Sequence, residues 1–251
     1  INGFILGMTA GFTVLTAQKF GAGDMKAMRK TVGNAAILAI IMSLIMTVLG
    51  MMAMKPLLGI MKTPDDIFKD AYAYIMVICG GIAAQMLYNF LSSVLRALGN
   101  SKVPLYFLIL AALLNIVLDM VFIIAFHMGA AGAAIATVIA QCVNFLLLLL
   151  ASKQLAFLRA KEVPHKAERL HWSRYLSVLL PLLFCEASWS LGENVYAAIY
   201  GRMGTAESAA MTLTAPIQGL VIGALCGLSQ AAGVIVGKRL GGEDYDEAYQ
   251  A

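Results

Sequence analysis

The chain has 251 residues, of which 61% are hydrophobic and only 13% charged, with a formal net charge of +4. A soluble domain carries about a quarter of its residues charged, so this composition excludes a soluble globular protein. It also gives no sign of a nucleic-acid partner, because no basic patch is interleaved with aromatic residues.

A helix crossing the roughly 30 Å hydrocarbon layer needs about 20 apolar residues, and only helices or closed barrels satisfy their backbone groups there. The apolar runs here are of helix length and lack the period-2 alternation of barrel strands. The expected fold class is therefore all-α, a polytopic transmembrane bundle in the cell membrane with lipid around it. Its seven spans are Ile1–Gln18, Val32–Met54, Ala71–Leu95, Val103–Phe126, Gly129–Ser152, Tyr175–Tyr200 and Ser208–Val236. The connections after the odd-numbered spans hold 14 of the 18 Lys and Arg residues, and the others hold only Lys55, Lys62, Lys69 and Arg202. By the positive-inside rule the richer set faces the cytoplasm.

The first span carries Gly7-x-x-x-Gly11, a spacing that permits close helix approach. After the third span, Arg96 with Gly99 and Pro104 suits a cytoplasmic turn before a Pro-started helix. The fourth span holds a carboxylate in Asn115-Ile-Val-Leu-Asp119, and the fifth holds Thr137. The turn near Met128 is nine residues from both Asp119 and Thr137, which puts each roughly 13 Å below the outer turn. Asn115 lies one helical turn from Asp119 on the same face. A carboxylate, an amide and a hydroxyl are thus expected to converge. They are hard oxygen donors suited to sodium, or Asp119 carries a proton. The structural alternative is that Asn115 and Thr137 satisfy Asp119 by hydrogen bonds between helices.

The sixth span has Glu186 and Glu193 seven residues apart on one face, with Pro181 loosening the helix before them. Glu186 is either a coupling acid or a hydrogen-bonded packing residue, and Glu193, nearer the outer end, lines a solvated cavity or packs between helices. The seventh span repeats the glycine spacing at Gly223 and Gly227. Cys79, Cys142, Cys185 and Cys226 all lie inside apolar spans without C-x-x-C spacing and read as packing residues. His127, His165 and His171 lie in connections, so no metal is expected beyond sodium, and phosphate-loop and nucleophile motifs are lacking.

An offset of 220 residues pairs Gly3 with Gly223, Gly7 with Gly227, Lys19 with Arg239, Gly21 with Gly241 and Asp24 with Asp244. Parallel repeats of this kind build many transporters. The chain starts within an apolar run and stops as a new helix begins, so it reads as a fragment, truncated at both ends and unable to transport alone. Residues 1–152 would be a first lobe lacking its first helix, 153–174 a cytoplasmic linker, and 175–251 the first two helices of a second lobe.

These residues resemble the multidrug and toxic compound extrusion (MATE) family. The resemblance is carried by Gly7-x-x-x-Gly11 with Ala17-Gln18-Lys19-Phe20-Gly21-Ala22-Gly23-Asp24, Leu95-Arg96-Ala97-Leu98-Gly99-Asn100-Ser101-Lys102-x-Pro104 and Asn115-x-x-x-Asp119. It continues in Gly129-x-x-Gly132-Ala133-Ala134-Ile135-Ala136-Thr137, Pro181-x-x-x-x-Glu186 and Gly237-Lys238-Arg239-Leu240-Gly241. It implies helices two to eight of a twelve-helix, two-lobed monomer, and a first-lobe cation site at Asn115, Asp119 and Thr137 with the carbonyl of Ala133. Glu186 would match the second-lobe acid that some members use for coupling; the family's partner carboxylate on helix one has no counterpart here.

The function that follows is a cation-coupled antiporter, driven by sodium or protons and without a further cofactor, exporting amphipathic organic cations or drugs. A flippase for lipid-linked saccharides is the alternative, although its Arg- and Lys-lined lobes find no match in these spans. An intramembrane aspartyl protease would need two facing Asp residues, and Asp119 is the single intramembrane Asp; the chain does not read as an enzyme.

Overall fold

The structure is a computed structural model that describes residues 2–60, 65–154 and 172–244, with 246 and 249. Its elements are α1 (Asn2–Gly21), α2 (Met25–Ile60), α3 (Asp65–Ala97), α4 (Lys102–Met120), a π-helical turn (Val121–Ala125), α5 (Gly129–Gln154), α6 (Trp172–Met203) and α7 (Thr205–Gly241). The described residues form no strand. Five helices, α2, α3, α4 with its π-turn, α5 and α7, are long and apolar enough to cross a membrane. Among the described residues α1 and α6 fall outside that set, although both stand where spans were expected.

The helices outrun the apolar stretches that announce them. Residues 25–31, expected in a polar connection, form the first turns of α2. Asp24 caps them, its Oδ1 accepting from the Ala27 amide at 2.9 Å. Polar ends can stay helical because the backbone bonds continue past the hydrocarbon layer into the interface. At the far end of α3, the Asn100 amide donates to the Leu95 carbonyl and the Gly99 amide to that of Arg96, both at 2.9 Å. With Gly99 at φ 91°, this is a Schellman stop, and Asn100 Oδ1 then receives the Val103 amide at 3.3 Å to open α4. Of the expected linker 153–174, residues 155–171 lie outside the described residues.

The chain divides into two compact units: residues 29–167 form one, and residues 1–28 with 168–251 the other. In the first, α5 packs against both α3 and α4. Without a hydrophobic drive between helices in lipid, small residues set the approach. A Cβ at Gly50 would sit 3.3 Å from Cys79 Sγ, and one at Gly81 2.6 Å from a Val138 methyl. The core behind these contacts includes Cys79, Ile82, Met86, Ala134, Ala140 and Leu148. The outer side of α4 shows Leu105, Ile109, Leu113, Ile116 and Met120, each about half exposed, the face a bilayer would cover.

In the second unit α1 packs against α6 and α7. A Cβ at Gly21 would land on the Lys238 carbonyl oxygen, and one at Gly241 on the Gln18 carbonyl oxygen. Under the 220-residue offset Gly21 corresponds to Gly241 and Gln18 to Lys238, so the two contacts exchange roles, as they do about a two-fold axis. The Lys238 ammonium rests 4.9 Å from the Phe20 ring centroid. Main-chain bonds repeat as well: Ala22 to Gln18 at 3.0 Å matches Gly242 to Lys238 at 3.1 Å. Likewise Gly23 to Phe20 at 3.1 Å matches Glu243 to Leu240 at 3.3 Å. Gly23 and Glu243 are both left-handed, at φ 69° and 63°.

A candidate cation site in the α4–α5 hairpin

Pro104 and Ala111 are buried, and Asn115, Asp119 and Phe122 are half-buried, as are Val103, Phe107, Leu114 and Leu118, while the rest of α4 is exposed. The spacing is helical, so the polar residues of α4 lie on its protein-facing stripe. There the Oδ1 atom of Asp119 and the Nδ2 atom of Asn115 are buried with no hydrogen-bond partner. A buried polar group left unpaired costs about 1–3 kcal/mol, and a bare carboxylate more.

Thr137 does not reach across to relieve it. Its hydroxyl donates to the Ala133 carbonyl at 3.0 Å, within α5, the usual back-bond of a helical Thr. The expected convergence is therefore only partly drawn: Asn115 and Asp119 sit together on α4, and Ala133 and Thr137 are bonded to each other on α5. This also departs from the structural alternative, in which Asn115 and Thr137 satisfy the carboxylate. The donors Asp119 Oδ1, Thr137 Oγ1 and Ala133 O are all hard oxygens, a set that fits sodium, and the unpaired Asp119 oxygen equally fits a proton.

Glu186 belongs to the other unit. Its Cγ lies 3.1 Å from where a Cβ at Gly7 would be, with the Leu182 carbonyl at 3.4 Å, so the first-span glycine makes room for this acid. Glu193 is exposed. Among the described residues, Gly223 and Gly227 have nothing within 4 Å of a built Cβ; unlike Gly7, they mediate no close approach here.

Two features of the hairpin escaped the sequence reading. One is the π-turn that begins two residues after Asp119. The other is Asn144, 4% exposed, whose Oδ1 is also unpartnered; it lies seven residues from Thr137, two turns along α5. An amide in an otherwise apolar run was its available signal.

Residues 1–121 match the MatE family profile. The probable multidrug resistance protein YpnP of Bacillus subtilis is 40% identical over 144 residues, covering 57% of this chain and 32% of that protein. YoeA of the same organism, also a probable multidrug resistance protein, is 25% identical over 261 residues, covering 98% and 55%. The crystal structure of the Vibrio cholerae MATE transporter VcmN in its bent form superposes with a TM-score of 0.81 at 23% identity, covering 99% of this chain and 56% of that one. The chain thus spans about half the length of the longer matches. The ordered motifs, the sequence relatives and the shared helical fold together identify the chain as a multi-pass membrane protein of the MATE family.

Proposed function

We propose that the chain serves a cation-coupled antiporter, not an enzyme, which exports amphipathic organic cations or drugs. The coupling ion, sodium or a proton, is held by Asp119 with Asn115, Thr137 and the Ala133 carbonyl, and Glu186 is the second-lobe acid. The observation that carries this reading is the pair of buried, unpartnered atoms Asp119 Oδ1 and Asn115 Nδ2 in a helix whose other faces are apolar. Ionisable groups inside a membrane are expensive and mark ion pathways. The multidrug resistance names of the relatives support the drug substrate.

Cation binding would neutralise Asp119 and relieve the cost of its burial. Release would restore that cost, which an entering organic cation offsets, so that each ligand lowers the affinity for the other. Asp119→Asn keeps the size and removes the charge. In everted vesicles carrying the full-length protein, with sodium and pH gradients imposed separately, the variant should insert normally and lose gradient-driven efflux. Efflux at the native rate, still driven by either gradient, would overturn the assignment.

A further inference from the structure

The cation site is assembled across two antiparallel helices, so its geometry depends on what fixes their relative register. Helix α4 ends at Met120, one residue past Asp119, and the chain continues through the π-turn Val121–Ala125. The Phe126 amide closes that turn on the Val121 carbonyl at 3.1 Å, an i to i−5 bond. Single π-turns inside membrane helices are uncommon, hold one residue more than an α-turn, and occur often at functional sites. Next the Met128 amide folds back to the Phe122 carbonyl at 3.0 Å, with His127 at φ 52° and Gly129 at φ 57° turning the chain into α5.

Gly132 then seats on the π-turn. A Cβ there would lie 2.9 Å from Met128 Cβ, 3.0 Å from Phe122 Cβ and 3.3 Å from the Phe122 carbonyl carbon. Backbone and Cβ atoms cannot swing aside as a side-chain end can, so this contact pins Phe122 opposite Gly132. Counting three residues along each antiparallel helix sets Asp119 level with Ile135. That is the middle of the turn that Thr137 closes onto Ala133 at 3.0 Å. The offered carboxylate and the candidate oxygens of α5 therefore share one depth because of Gly132 and the extra π residue. Removing that residue would shift the register by about 1.5 Å and turn it by about 100°.

We propose that Gly132 and the π-turn are the positioning element of the cation site, which hold Asp119 at the depth of the Ala133–Thr137 turn. The proposal rests on the cation reading above, and ligand sets lose affinity when their support moves by fractions of an ångström.

The test measures ethidium efflux in everted vesicles from the full-length native protein and its variants, titrating sodium and protons separately for the half-saturating concentration and the maximal rate. Gly132→Ala should raise the half-saturating concentration of the driving cation by about tenfold or more, with the maximal rate changed far less. Deleting Ile124, which is 63% exposed and so contributes little packing, should do the same by converting the π-turn to an α-turn. Gly59→Ala, where an added methyl meets nothing within 4 Å, should leave both quantities unchanged. If Asp119→Asn abolishes coupling while Gly132→Ala and the deletion titrate as native, the positioning role is overturned and the cation site stands. If Asp119→Asn itself couples normally, the cation reading falls. Loss of membrane insertion in both hairpin variants would make the element a folding requirement, and would overturn the proposal too.

Discussion

The α1–α7 contact and the α4–α5 hairpin both bring two helices together through glycine, with opposite results. At Gly21 and Gly241 each helix backbone meets the carbonyl of the other with no room for even a methyl group, and among the described residues no unpartnered side-chain atom is buried beside them. At Gly132 the close contact lies about one turn away from Asp119 and leaves its Oδ1 buried without a partner. One contact seals and the other frames a gap. The difference teaches that glycine sets distance alone, and that the side chains a turn or two away decide whether the closeness becomes a joint or a site.

The sharpest way to break the comparison is to crowd the sealed contact. Gly21→Ala or Gly241→Ala places a Cβ on a main-chain oxygen that no rotamer change can move. Each should cost about 3 kcal/mol or more, the upper end for overpacking, read as a clear fall in the thermal midpoint in detergent. A melting curve indistinguishable from native in both variants would mean that the helices slide apart freely.

A smaller effect of opposite sign is expected at the framed gap. With no cation bound, an uncompensated buried group costs about 1–3 kcal/mol, so Asp119→Asn should melt above the native protein in sodium-free alkaline detergent. Adding sodium, or acidifying, should then raise the native midpoint and not that of the variant, because a ligand stabilises only the form that binds it. A sodium- and acid-independent native midpoint would place the carboxylate outside any cation equilibrium.

The smallest effect tests a contact of intermediate kind. Gly7 faces the Glu186 side chain at Cγ, with the nearest main-chain atom at 3.4 Å. A flexible stem can yield, so Gly7→Ala should change stability by less than about 1 kcal/mol, measured on the same melts. A loss matching Gly21→Ala would show that Glu186 is locked rather than adaptable.

The helices were legible from the sequence because apolar runs in this chain leave few alternatives, and the hairpin around Met128 was legible from its two spans of near-equal length. Their ends were not, because residues 25–31 are helical yet polar, and hydropathy registers only the part of a helix that suits lipid. The acid at Asp119 and its neighbour Asn115 stood out as polar letters in an apolar run. The π-turn did not, since Val-Phe-Ile-Ile-Ala reads as any apolar helix, and an extra residue per turn leaves no compositional mark. Nor could spacing reveal that Thr137 bonds its own helix, because a hydroxyl at mid-span serves either purpose. The glycine pairs were ambiguous for a related reason: Gly7 and Gly227 are paired by the 220-residue offset, and among the described residues only Gly7 meets a neighbour.

The junctions after α1 and α7 bear on what a comparison of sequences can detect. Gly23 and Glu243 count as a mismatch in any alignment of letters, yet they adopt the same left-handed backbone and donate the same bond three residues back. A Glu in that conformation costs about 1 kcal/mol more than a Gly, and the second copy has kept the shape at that expense. The likeness of the two junctions is therefore carried by the positions of carbonyls and amides more than by residue identities, and a comparison of letters alone would pass over it.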